Sequence, residues 1–348
     1  MAAYISFQPT DFFNTKLYSG TGSSNAVTGV GFEPDFVWIK NRTDTSNHRA
    51  FDAVRGANKR LTPNTNGAET TTTQELMSFD SNGFTVGTET DVNSSSHTFA
   101  SWNWKAGTTS GLTGGTITPS SYSINTTSGF GIYKYTGTGS AGTIAHGLGV
   151  APTMMIVKKT NTTGDWYVYH KDMPSGNGYH LRLNATSAEA SGTEWNSTNP
   201  TSTVFSLGAN SNVNASGATF IAYVFAPVKG FSKFGGYTGN GNANGTFIYT
   251  GFRPAFVLIK ATFGEAWNIW DDKRNTPTGS KNVNYTVLQP SNANAEGTGG
   301  AQAIDMLSNG FKTRNSSDEI NKSANTYVYA AFAEFPFVSS NSKAGVAR

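Results

Sequence analysis

A proline and a lysine six positions apart, bracketing a mostly apolar run, occur three times: Pro34-DFVWI-Lys40, Pro152-TMMIV-Lys158 and Pro254-AFVLI-Lys260. Each run sits within the same ordered markers. Upstream is a Gly-rich entry: Tyr18-Ser-Gly-Thr-Gly22, Tyr135-Thr-Gly-Thr-Gly139 and Tyr237-Thr-Gly-Asn-Gly241. Downstream is an aromatic stretch: Thr98-FASWNW-Lys105, Thr219-FIAYVF-Ala226 and Thr326-YVYAAF-Ala333, starting 64, 67 and 72 residues after the proline. A further marker, Ser81-Asn-Gly-Phe84 and Ser308-Asn-Gly-Phe311, is shared by the first and third copies. Repetition of a sequence pattern implies repetition of a structural unit. The expected units are 1–107, 108–230 and 231–348.

Local chemistry indicates what each unit is. Proline fixes φ and lacks an amide hydrogen, which suits the first residue of a strand. The run that follows is short and apolar on both faces. That pattern fits a strand buried on both sides or a buried helix; its length and its β-branched and aromatic content favour the strand. Asn82-Gly83 and Asn309-Gly310 lie between apolar residues and read as hairpin turns. No stretch of a dozen residues keeps a good helical period, so helix is expected below a tenth of the chain. Units of this size with many short strands and Gly-rich turns predict an all-β chain of three tandem β-sandwiches, jelly-roll-like. The segment from Ala106 to Tyr122 reads as a flexible linker plus the first strand of the second unit. The second junction, Val228 to Ser232, is tighter, so the first two units are expected to move more freely than the last two.

Composition narrows the classes. Charged residues make up only 14%, and aromatics 13%. Aromatics spread along the whole length argue against disorder. The absence of cysteine excludes disulfides and thiolate zinc sites. A net charge of +3 is small for the 348 residues, and the basic cluster Arg49, Arg55, Lys59 and Arg60 reads as a solvated loop rather than a nucleic-acid stripe. The start, Met1 to Pro9, has no signal-peptide pattern, and no run is long enough to span a bilayer, so a soluble protein without membrane insertion is expected.

Several residues could carry chemistry. The string Gly137-Thr-Gly139-Ser-Ala-Gly142 fits a dinucleotide fingerprint, but turn and strand follow it where a helix is needed. His48, His97, His146, His170 and His180 show no metal-ligand spacing, and His146, beside a turn, is expected to bond to backbone. Asp165, Glu189, Glu194, Glu265, Asp271 and Asp272 could supply a glycosidase pair, although Asp271 and Asp272 adjoin Lys273 and Arg274 and suggest surface pairing. Trp166, Trp267 and Trp270 are expected to fill the cores of their own units. Trp195, in an insertion-like stretch from Tyr179 to Pro200, is expected to be exposed. No catalytic, cofactor-binding or metal residue is assigned, no cofactor is expected, and ligand-binding residues are left open.

The markers resemble repeats that occur widely in tailed-phage and prophage structural proteins, of the tail fibre or tail-associated type common in marine phages. The matching stretches are Gly131 to Lys158, Trp166 to His170, Gly230 to Lys260, Trp267 to Arg274, Leu307 to Lys312 and Tyr327 to Phe337, and the first unit matches its own variant, Gly31-FEPDFVWIKNR-Thr43 through Trp102-NWKAG. The resemblance implies a non-enzymatic virion component assembled in the host cytoplasm, partnered by other virion proteins and by a host glycan or receptor, without nucleic acid. It also implies a homo-oligomer, with a trimer as first choice. A head-decorating protein, a glycan depolymerase of the tail and a bacterial adhesin are the alternatives.

Overall fold

The proline–lysine runs are strands with two buried faces, and the alternation of their side chains shows why. In the first, Val37 and Ile39 share a core with Val27, Phe84 and Phe99. Phe36 and Trp38 point the other way, into a cluster that also holds Met154, Ile156, Phe256 and Leu258. In the third run, Val257 and Ile259 join Ile248, Phe311 and Tyr329. A period of two on a doubly buried strand gives a continuous apolar run. The computed structural model describes residues 6–274, 283–298 and 300–336. Strands hold 42% of residues and helix 5%, so the chain is all-β and the buried-helix alternative for the runs is excluded. Met1 and Arg348, the outer limits expected for the first and third units, lie outside the described residues.

The strands form three sets. The large sheet of the first is ordered Phe13–Ser19, Thr98–Trp104, Phe36–Asn41, Arg49–Asp52. The third repeats this order with Ser232–Thr238, Thr326–Pro336, Phe252–Ala261 and Trp267–Asp271. The second has Phe130–Thr136, Thr219–Phe225, Met154–Lys159 and Trp166–His170, extended by Ser121–Asn125 at one edge and by Tyr179–Arg182 and Ala190–Ser191 at the other. All these pairs are antiparallel, and each apolar run is held between the aromatic strand and the strand that follows the run. A smaller sheet faces each large one: Asn25–Thr28 with Gly83–Val86 and Leu76–Asp80; Gly142–Ala145 with Val204–Leu207; and Phe247–Tyr249 with Gly310–Thr313, Ile304–Leu307 and Val283–Asn284. Pro34 and Pro152 stand two positions before their strands rather than at the first strand residue. Pro254 lies inside its strand at a register shift, where a missing amide hydrogen is tolerated.

The three sets are not beads on a string. The outer faces of their large sheets meet in one aromatic core. Phe36 lies 4.4 Å from Tyr223, Phe13 stacks on Phe332 at 5.1 Å, and Trp104 meets Phe256 at 5.8 Å edge to face. The void among these rings is about 20 Å³, room for about one water and lined only by apolar groups. Phe36, Met154 and Phe256 do occupy equivalent positions, each opposite the aromatic six residues after the threonine that opens the terminal strand (Trp104, Phe225 and Phe332), but their core is the shared one. The flexible-linker expectation is corrected for the same reason. Ala106 and Ile117 are buried in the shared cluster, Thr108 pairs with Ile124, and Gly115 pairs with Ile144. The junction is part of the packed structure and leaves no hinge there.

The Gly-rich entries have a definite task. Tyr18, Tyr135 and Tyr237 stack on Phe99, Phe220 and Tyr327 with ring planes within 14°. Their hydroxyls donate to Val92 O, Val213 O and Ile320 O, each in a single helical turn. The next residue of each turn, Asn93, Asn214 or Asn321, is fully buried and ties the entry loop to the turn: its Oδ1 accepts from Thr21, Thr138 or Asn240 N. The first glycine of each entry (Gly20, Gly137, Gly239) lies so close to a carbonyl of that turn that a Cβ would overlap it. The Asn-Gly hairpin reading is also refined. The turn residues are Ser81-Asn82 and Ser308-Asn309; Gly83 and Gly310 open the returning strand, where Val27 O and Ile248 O leave no room for a Cβ.

A shared core predicts shared unfolding. Phe256→Ala removes a ring that touches Phe13, Trp102, Trp104 and Phe332. It should cost about 3–5 kcal/mol and lower one transition of the whole chain rather than one of several. Calorimetry and tryptophan fluorescence should report the same midpoint; separate transitions with only one displaced would show that the units unfold independently.

Candidate functional site

Polar groups concentrate where the three sets meet, and equivalent positions in the register carry equivalent contacts. Phe36 pairs with Asp52, Met154 with His170 and Phe256 with Asp271. Tyr223 of the second set donates its hydroxyl to Asp52 Oδ2 at 2.7 Å. Trp102 of the first donates its indole N–H to Asp271 Oδ2 at 3.0 Å. The residue of the third set equivalent to Tyr223 and Trp102 is Ala330, which has no polar side chain. At that interface the residue is His170: its Nδ1 accepts from Asp172 N, so Nε2 carries the proton and donates to Tyr329 O at 3.1 Å. Each acid keeps a buried arginine three residues on, Arg55 at 2.6 Å and Arg274 at 2.5 Å, whereas the histidine is followed at that spacing by Met173.

A second set of contacts runs the opposite way. Trp166 donates to Thr62 O and Thr65 O, Trp267 to Arg182 O, and His48 Nε2 to Gln289 O, each reaching the arm of the preceding set, the segment that follows Arg49–Asp52, Trp166–His170 or Trp267–Asp271. His48 Nδ1 receives the Trp38 indole N–H, which fixes that tautomer. The arms reach forward in turn: Glu69 N donates to Thr160 O, Glu189 N to Thr262 O and Glu296 N to Arg42 O. The first set thus contacts the second, the second the third, and the third the first. This is a head-to-tail ring closed within one chain, with the geometry that cyclic oligomers use between chains.

The lysines that end the runs lie in these interfaces. Lys40, Lys158 and Lys260 are fully buried. Lys158 reaches Asn66 O across the interface at 3.5 Å, and Lys260 reaches Thr186 O at 3.1 Å. Burial lowers each ammonium to about 8, offset in part by Asp44 and Glu296 at Lys40, Asp165 at Lys158, and Glu265 and Glu319 at Lys260. Burial also lowers His48 and His170, the latter to about 4.

The residues weighed for chemistry fall largely into this framework. The basic cluster is not a solvated loop: Arg49 and Arg55 are buried, with Arg49 on Glu75 and Asp91, Arg55 on Asp52 and Glu69, and Arg60 on Glu75. Lys59 and Arg60 are half-buried, with Lys59 3.8 Å from Glu69. Asp271 is paired as expected but buried, not at the surface. Trp166 and Trp267 are buried yet serve the interfaces, whereas Trp270 does fill the core of its own set. Trp195 corrects the expectation of exposure. It is 1% exposed, donates to Tyr179 O and packs edge-on to Tyr169, because the stretch around it adds strands to the sheet. His146 bonds to backbone, accepting from Leu148 N and donating to Thr201 O. His97 Nδ1 meets the Asn41 amide, and His180 donates to Glu194, which also accepts from Asn210 and Asn212. Asp165 binds Arg182, Glu189 accepts from Ser175, and Asp272 binds Lys273. Gly137 to Gly142 joins two strands with no helix between them. Among the described residues no group of three metal-ligating side chains gathers. The ring itself was missed in the sequence; the Asp-x-x-Arg spacing at Asp52 and Asp271, set against His170, was its available signal.

These features define an all-β protein whose sandwich-like sheets are locked around one aromatic core by a closed ring of buried polar contacts. The chain belongs to the family described as a domain of unknown function, DUF7483, whose model matches residues 8–336. That match runs unbroken through all three sets. No curated protein and no solved structure matches the chain.

Two predictions follow from the ring. Removing one partner of a buried ion pair leaves the other charge uncompensated, so Asp271→Ala should cost about 3–5 kcal/mol. Adding Arg274→Met should recover part of that loss, since His170 and Met173 fill the equivalent site without ions; urea denaturation of both variants checks this, and a double variant less stable than the single would refute it. For pH, each lysine binds fewer protons folded than unfolded between about 8 and its ordinary 10.5. Stability should therefore rise from pH 8 towards 10. Above 10 it should fall, because burial raises Tyr18, Tyr135, Tyr223 and Tyr237 and the unfolded chain alone loses those protons. Below about 6.5 the lowered histidines make stability fall with pH. Melting temperatures across this range decide it; a steady decline from pH 8 would contradict the lysine assignment.

Proposed function

We propose that the chain is a structural component of a phage virion, of the tail fibre or tail-associated type, that contributes to attachment at a host receptor or glycan by non-covalent contact. The observation that carries this reading is the near full-length resemblance of the repeat markers to those of tailed-phage structural proteins. The architecture supports it. One shared core and three interlocked interfaces make a rigid body, and rigid bodies suit the display of loops in many copies, where avidity multiplies weak contacts. Asp165, Glu194 and Asp271 and the buried histidines, which could have suggested catalysis, are engaged in ion pairs and hydrogen bonds within that body, which favours a non-enzymatic role. The oligomer proposed is a homotrimer in the particle, assembled through surfaces other than the three internal interfaces, since those are closed within one chain.

Labelling of purified particles, with a map of the assembled virion, tests this. The expected result is few copies, at the tail, with like chains in contact. Many copies over the head would replace the tail assignment with the head-decorating alternative. Absence from purified particles, or cleavage of host polysaccharide by the purified chain, would overturn the reading.

A further inference from the structure

Phe247 and Tyr249 stand apart from the other aromatics. They are 44% and 54% exposed, whereas the large apolar residues otherwise exposed among the described residues are Met77 and Val150. Both lie on the strand Phe247–Tyr249 at the edge of the smaller sheet of the third set. Ile248 between them points inward and is buried, so the two rings share the outer face, about 7 Å apart along the strand. The repeat provides an internal control. The inward residue is retained in all three sets as Val27, Ile144 and Ile248, each opposite a phenylalanine (Phe84, Phe205 and Phe311). The outward positions are not retained: Phe247 and Tyr249 correspond to Ala26 and Thr28 in the first set and to Thr143 and Ala145 in the second. The fold therefore does not require rings there.

Two cations accompany the rings. Lys312 pairs directly opposite Phe247, at the position of Thr85 and Ser206 elsewhere. Its ammonium is held by Asn244 Oδ1 at 2.6 Å. Lys233 Nζ lies 5.2 Å from the centre of the Tyr249 ring and donates to Tyr249 O at 2.6 Å. Asp305, opposite Lys312 on the next strand, is taken up by Arg314. Two exposed rings on one outer face, with the Lys233 and Lys312 ammonium groups and the Asn244 carboxamide beside them, offer stacking surface, hydrogen bonds and positive charge together. Sugar rings stack on aromatic faces through their C–H groups, while their hydroxyls match amides and their carboxylates match lysines.

We propose that the Phe247–Tyr249 face, with Lys233 and Lys312, binds an acidic sugar chain. This rests on the reading of the protein as an attachment component and names the ligand class for it. The test uses the whole chain, titrated calorimetrically with short oligogalacturonates and with maltooligosaccharides of matched length. Saturable binding of the uronates is expected, with the neutral sugars about tenfold weaker or more. Phe247→Ala, Tyr249→Ala and Lys312→Gln are surface changes that should each weaken uronate binding by about tenfold, while Met77→Ala, on the first set, leaves it unchanged. The inference is overturned if the native chain shows no saturable uronate binding, if neutral sugars bind equally, or if the aromatic variants bind as the native chain does. It is also overturned if the aromatic variants instead abolish a concentration-dependent association of the chain with itself, which would make the face a protein contact. Location on the particle is measured separately, so a chain found at the tail that ignores uronates loses this inference and keeps the proposed function.

Discussion

Everything in this molecule depends on the contact of three large sheets through their outer faces. A β-sandwich ordinarily buries one face of each sheet and leaves the other to water. Here the second face is apolar as well, carrying Phe36 and Trp38, Met154 and Ile156, and Phe256 and Leu258, and it is covered only because the other two sets supply the matching surfaces. No set could leave that face in water without exposing a contiguous aromatic patch. The central core therefore makes the three sets interdependent, and the polar ring around it is subordinate: it satisfies the hydrogen-bonding groups that the apolar contact encloses.

Quasi-repetition within one chain lets each interface solve the same problem separately. A symmetric trimer must use one residue at all three equivalent positions. This chain uses acid–arginine pairs where Tyr223 or Trp102 presents a donor, and a neutral histidine with a methionine where Ala330 presents none. The donor and its acceptor are thus matched interface by interface. Buried charges are tolerated where they are paired and hydrogen-bonded, and avoided where no partner exists. The same freedom allows one set to carry surface features, such as Phe247 and Tyr249, that the other two lack without disturbing the shared frame.

Much of the fold was legible in the chain itself. Four ordered markers announced the repeat. The period of each run gave a doubly buried strand, and turn chemistry with the lack of helical period gave an all-β class. These are local properties: they depend on φ restriction at proline, alternation along a strand and the conformational freedom of glycine, all of which act over a few residues. Tertiary structure alone decided what covered the second face. Nothing local distinguishes a strand buried within its own unit from one buried against two others, so the linker reading within Ala106 to Tyr122 failed; the exposure expected for Trp195 failed because the stretch around it adds strands to its own sheet. The burial of Arg55, Asp271 and the three lysines was hidden for the same reason. Sequence spacing reports neighbours along the chain, whereas desolvation and charge pairing are set by neighbours in space, here residues such as Asp52 and Tyr223 that lie 171 positions apart.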